Sequence, residues 1–152
     1  MNVAQLLQEK DVRYELLPHR ETHDALRMAR TLHVPGRSVA KTVLIRADHG
    51  YRYIVAVLPA DKSIDWEQAS RLLGGSELGL ASEAEVAEHC PDCQRGVLPP
   101  FGSQYGMKTI ADTALTEDEQ IVFESNTHHE AIRMRLDDFL KLESPLVGTF
   151  AR

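Results

Sequence analysis

Cysteines, aromatic residues and long apolar runs are all scarce in this chain. Two cysteines among 152 residues cannot build the multi-bridge framework of a small secreted domain. No apolar run approaches the roughly 20 residues of a membrane-spanning helix. The N-terminal "MNVAQLLQEKDVRYELL" lacks the basic and apolar regions of a secretory signal. No G-x-S-x-G elbow, P-loop or Rossmann glycine pattern occurs. Ser103 follows Gly102, but nothing marks a His–Asp pair to activate it. Without a covalent nucleophile, catalysis here would work by positioning and electrostatics on an already activated substrate. These absences predict a reduced, cytoplasmic, single-domain protein spanning residues 1–152, with no membrane association.

The net charge is −6 and is unevenly distributed. Up to Arg71 there are 11 basic and 9 acidic residues; from Leu72 onward there are 6 and 14. Such a chain is no non-specific nucleic-acid binder, DNA included, because that role needs many Lys and Arg contacts to phosphate. Contact to a few phosphates from the N-terminal half stays open, as does a merely solvated surface.

The patterning predicts short helices in "NVAQLLQEK", "DWEQASRLLGG" and "SEAEVAEHC", the last with a capping box from Ser82 to Glu85. A further helix follows Thr22, read as its cap, with Ala25, Met28, Ala29 and Leu32 inward. "SVAKTVLIRA" and "IVAVLPA" form a hairpin about Asp48–Gly50. The second of these strands is apolar on both faces and therefore central. "MKTIAD", "EQIVFES" and "EAIRMRL" are strands. In the last, Ile132, Met134 and Leu136 point inward and Ala131, Arg133 and Arg135 outward. "DDFLKL" closes the chain as a helical turn. Hairpins mixed with dispersed helices predict an α+β fold with a mostly antiparallel sheet.

Three groups of residues could carry chemistry. Alternation puts Lys41 with Val39, Val43 and Ile45 on the more apolar face of its strand. Its ammonium is then either desolvated, with a lowered pKa, or snorkels to water from the strand end. Cys90 and Cys93 have C-x-x-C spacing, but no second pair completes a zinc site and no helix follows as in a redox motif. They read as ordinary thiols. His128 and His129 sit in a hairpin tip, where one can face a cleft.

The run "GVLPPFG" between Gly96 and Gly102 is the most unusual stretch. Its prolines fix the backbone and its glycines allow close approach, so it is a structural corner or a pocket wall. Taken with "VAKTVLI", "AVLPADKSIDW" and "IVFESNTHHEAIRMRLDDFLKL", it resembles the YbaK/EbsC family of aminoacyl-tRNA deacylases. That family is related to the editing insertion domain of bacterial prolyl-tRNA synthetase. The resemblance runs from about Tyr14 to the end and rests most on Lys41 and on the loop Gly96, Pro100, Phe101, Gly102.

The resemblance implies a mixed, barrel-like sheet with flanking helices. It also implies metal- and cofactor-free hydrolysis of the ester joining a wrong amino acid to tRNA. Lys41 would be the catalytic residue. Thr42, Gly96, Pro100, Phe101, Gly102 and His128, or alternatively His129, would line the site for the 3′-terminal aminoacyl-adenosine. An aminoacyl-tRNA synthetase would be a second partner. The chain departs from the alanine-editing branch at Thr42, where that branch has asparagine. It departs from the cysteine-editing branch at Glu124 and Ala131, where that branch has serine and aspartate. A non-catalytic binding module of the same fold is the rival reading.

Overall fold

The computed structural model describes residues 2–50 and 52–152. Met1 of the single-domain reading and Tyr51 of the hairpin lie outside them. Helices are α1 (Val3–Glu9), α2 (Ala25–Thr31), α3 (Trp66–Leu72), α4 (Glu83–His89) and α5 (Leu136–Glu143). Strands are β1 (Tyr14–Pro18), β2 (Ala40–Ala47), β3 (Arg52–Pro59), β4 (Leu78–Leu80), β5 (Lys108–Asp112), β6 (Gln120–Glu124), β7 (Glu130–Arg135) and β8 (Leu146–Gly148).

The strands form two sheets, ordered β1-β7-β6 and β4-β2-β3-β5-β8. All pairs are antiparallel except β3–β5 and β5–β8. A parallel bridge between Val39 and Val122 joins the sheets at one corner, so together they curve around a shared core. That core holds Leu44, Val55 and Val57 from one sheet and Ile121, Phe123, Ile132 and Met134 from the other, with Phe101 and Phe139 between them. The fold is α+β with a mixed, largely antiparallel sheet, as expected. The apolar run of β3 does occupy the centre: Ile54, Ala56 and Leu58 face a second cluster under α3, with Ile45, Ile110 and Phe150.

Local chemistry sets the helix starts. Ser82 and Glu85 form the expected capping box on α4, each side chain bonding the other's backbone N–H. The cap of α2 is Asp24 rather than Thr22, because its carboxylate accepts the N–H of Arg27 at 2.8 Å. Ala131 is fully buried rather than outward, since α2 lays Met28 and Ala29 across that face of the sheet. Leu136 points inward as expected but from the first turn of α5, not from a strand.

Two expectations for the loops need correction. Cys90 and Cys93 are bonded to each other rather than free. After α4 the chain turns tightly, with the N–H of Cys93 on the carbonyl of Cys90 at 3.1 Å. This brings the Cα atoms to 5.4 Å, within disulfide range. A single local bridge needs only a turn, whatever the cysteine count. The loop after Gly96 is core rather than pocket wall from Val97 to Gly102, all of it buried. Burying irregular chain normally strands backbone N–H groups. Pro99 and Pro100 have none, so this segment is unusually cheap to bury. Several of the remaining polar groups are tied down. The Gly102 N–H donates to Thr109 Oγ1 at 3.0 Å, and Glu143, itself buried, accepts from that hydroxyl at 2.5 Å and from the Ser103 N–H at 3.0 Å. A Cβ on Gly102 would lie 2.6 Å from Thr109 Oγ1 and 2.9 Å from Val55 Cγ2, so close packing requires glycine there.

Candidate active site

Strand β2 pairs with β3 along its whole length but with β4 only from Ile45 to Ala47. Residues 41–43 therefore keep one backbone edge without a strand partner. A cavity of about 410 Å³ opens on this edge, where successive residues Thr42, Val43 and Leu44 all line it. Leu80, Ala81 and Val86 supply an apolar wall; Gly96, Arg95, Glu83, His23 and His128 supply the polar side.

The polar side is built by the hairpin tip between β6 and β7. The Gln94 N–H donates to the Asn126 carbonyl at 2.7 Å, and the His128 N–H donates to Gln94 Oε1 at 2.8 Å. His128 Nε2 lies 2.9 Å from the Arg95 carbonyl. A carbonyl only accepts, so Nε2 carries the hydrogen. These three bonds hold Gly96 at φ +84° against the cavity, where a Cβ would stand 3.3 Å from Glu83 Oε1 and 3.7 Å from His128 Nε2. The His23 ring packs on the His128 ring at 4.2 Å between centroids.

With Nε2 donating, His128 Nδ1 faces Glu124 Oε1 at 3.4 Å, and neither atom has a hydrogen-bond partner. Burial pushes the Glu124 carboxyl up from 4.5, while the nearby His128 and His23 draw it down less strongly. A carboxyl raised on folding stabilises the protein at acid pH, and that contribution is lost as pH rises through its folded value. Glu124→Gln removes this loss. Its melting temperature is therefore expected to gain on wild type as pH is raised from about 4 to 7. Parallel melting curves across that range would refute the assignment.

Lys41 precedes Thr42 on the same open edge, but alternation sets its side chain on the opposite face, the one shared with Leu58. It is half-buried, and desolvation holds its ammonium below the ordinary 10.5, with Asp61 pulling the other way. The sequence-predicted residues thus divide. Thr42, Gly96 and His128 meet at the cavity, and Lys41 stands beside it. Pro100, Phe101 and Gly102 lie in the core, where the resemblance had them in the site. His129 is surface-exposed, with Nε2 3.9 Å from Glu21. His23, Glu83, Arg95 and Glu124 were not singled out as site groups in the sequence, because only the tertiary fold brings them beside Gly96 or His128. Among the described residues the one convergent group of His, Cys, Asp or Glu ligand atoms is Cys90, Asp92 and Cys93, and its sulfurs are spent on each other.

Residues 19–142 match the family model of the aminoacyl-tRNA editing domain. The chain belongs to the aminoacyl-tRNA editing family. Over 102 residues it is 31% identical to the multifunctional Ser/Thr-tRNA deacylase ProXp-y of Escherichia coli K12, covering 66% of this chain and 60% of that protein. The chain thus spans less than two thirds of the length of this curated relative. Two solved structures share the fold. The hypothetical protein APE2540 matches with TM-score 0.88 at 18% identity over 99% of both chains. A candidate trans-editing enzyme for prolyl-tRNA synthetase matches with TM-score 0.81 at 20% identity, over 99% of this chain and 94% of that one. Of the sites described, the cavity on β2 brings Thr42 and Gly96 together, with Lys41 next to Thr42 on the strand.

Proposed function

We propose that this protein is a cytoplasmic trans-editing hydrolase that removes a wrong amino acid from tRNA. The observation that carries the reading is the open backbone edge of β2 facing Gly96 across the cavity, with Lys41 and Thr42 on it. An unpaired strand edge supplies fixed N–H donors. Such preorganised donors stabilise the negative charge that develops on an ester carbonyl under attack. Family membership and the deacylase relative support the same reading.

In the mechanism, water attacks the aminoacyl ester carbonyl, the bond to the ribose oxygen breaks, and free amino acid and tRNA leave. Lys41 stabilises the developing oxyanion or fixes the terminal phosphate. The Thr42 hydroxyl and the Gly96 backbone hold the terminal adenosine. The substrate's own ribose hydroxyl orients the attacking water. His128 acts through Arg95, keeping the Gly96 loop in place. Both its ring nitrogens face protein groups, so it is a positioning residue. In the cytoplasm the Cys90–Cys93 bridge would exchange with the thiol pool.

The E. coli relative is a Ser/Thr-tRNA deacylase. We extend that preference to this chain because Glu83 and the Gly96 backbone bring polar groups into a cavity whose apolar wall is Leu80, Ala81 and Val86. A site that hydrogen-bonds a substrate hydroxyl rejects the analogue lacking it. The test is deacylation of a panel of tRNAs charged with alanine, cysteine, serine or threonine. Seryl- or threonyl-tRNA should be hydrolysed at least ~10-fold faster than alanyl-tRNA. Protection of every ester would identify a binding module instead, and a preference for alanine would overturn the specificity. A synthetase that delivers the substrate is a further expected partner, given the net charge of −6.

A further inference from the structure

A second cavity, of about 430 Å³, adjoins the first and shares His23 with it. Arg20, Thr22, Arg27 and Arg30 line it. Its acidic groups are already engaged. Glu21, the acidic residue of its lining, faces His23 at 3.7 Å and His129 at 3.9 Å, and Asp24 nearby caps α2 and pairs with Arg27 at 3.4 Å. Arg20 and Arg30 have no ion-pair partner among the described residues, and both are exposed. Thr22 is only 6% exposed, yet its Oγ1 has no hydrogen-bond partner among the described residues. A buried hydroxyl without a partner costs stability unless a ligand satisfies it. Two uncommitted guanidiniums and an orphan hydroxyl in one groove make an acceptor for phosphate oxygens.

We infer that this groove binds the sugar–phosphate backbone of the single-stranded RNA end, just before the terminal adenosine. The inference rests on the deacylase reading and extends it. The two cavities meet at His23, so a chain whose last residue enters the first can run on into the second. The groove also explains where an acidic protein finds cationic contacts for tRNA. Three arginines of the N-terminal half line this one groove. Phosphate contacts of this kind position the strand without reading its sequence. A free phosphate could satisfy the same groups, so the test separates the two sources.

Binding of a fluorescent single-stranded RNA ending in CCA is measured by anisotropy against salt concentration, for wild type, the double variant Arg20→Ala/Arg30→Ala, and Arg20→Lys/Arg30→Lys. Loss of two single-strand phosphate contacts should lower the slope of log affinity against log salt by about 1.4, with affinity falling roughly fivefold or more. The lysine variant keeps most of the slope. Thr22→Val should weaken binding while leaving the melting temperature of the free protein equal or higher. Hydrolysis is followed in parallel on seryl-tRNA and on seryl-adenosine, which has no phosphate. The alanine pair should raise KM for seryl-tRNA alone, with kcat unchanged. Unchanged RNA affinity and salt slope in the alanine pair would overturn the inference. So would inorganic phosphate at millimolar concentration binding the groove without displacing the RNA. Hydrolysis of neither substrate by wild type would instead sink the deacylase reading, while the anisotropy arm still decides the groove.

Discussion

Phe101→Ala is expected to lower the unfolding free energy by about 3–5 kcal/mol, measured by urea titration with unchanged slope. Phe101 is completely buried, its ring edge-on to Phe123 at 5.6 Å and to Phe139 at 5.4 Å. Truncation removes the transfer energy of a whole ring and opens a cavity at the junction of β6, α5 and the glycine–proline loop. The surroundings can collapse only a little. Gly102 is clamped against Thr109 and Val55, and the two prolines stiffen the approach. The result separates two accounts of the loop. If Phe101 lined the substrate site, its loss would raise KM and cost little stability. With the ring in the core, stability falls steeply, and the folded fraction keeps its KM. Phe101→Leu should cost markedly less, because it leaves most of the volume filled.

That loop also shows how far the sequence carries. Stiffness and an apolar edge are legible in "GVLPPFG"; the side on which the apolar edge lands is not. Proline's missing donors make burial cheap, but only the partners Phe123, Phe139 and Thr109, distant in sequence, make it happen. Capping chemistry is local, so the Ser82–Glu85 box was legible residue by residue. The central place of β3 was legible because a run apolar on both faces has no other home. The edge strands β4 and β8 were not. Each has three residues, too few for a period, and Leu80 remains 67% exposed. Their pairing is imposed by β2 and β5. Ala131 failed for a related reason: alternation reports two faces but not that α2 covers the second. In the site, the strand register of Lys41 and Thr42 was readable. The distinction between His128 and His129 rests on one carbonyl, that of Arg95. The role of Glu124 rests on what burial does to a carboxyl beside that ring. Neither leaves a pattern in the chain.

Lys41→Met is expected to cut the rate of ester hydrolysis about 10²–10³-fold, the usual loss when one group that stabilises an oxyanion is removed. Folding should not suffer. The wild-type ammonium is half-desolvated and its pKa lies below the ordinary 10.5, so the folded state binds that proton less readily than the unfolded chain does. Stability from this group therefore rises with pH and is lowest on the acid side of the folded pKa. Near neutrality the charged lysine works against folding, with Asp61 offsetting part of the cost. Methionine keeps most of the length of the side chain and removes the charge. Its melting temperature should equal or exceed that of wild type while turnover collapses. A residue held for packing alone would show the reverse, and wild-type turnover in the variant would refute the mechanism. Lys41→Arg should not rescue the rate, since a planar guanidinium cannot occupy the place of a compact ammonium. The remaining question is which charge the ammonium meets. If it meets the oxyanion, the loss falls on kcat, and seryl-adenosine suffers as much as seryl-tRNA. If it meets the terminal phosphate, the loss falls on KM for seryl-tRNA, and the phosphate-free ester is hydrolysed by variant and wild type alike.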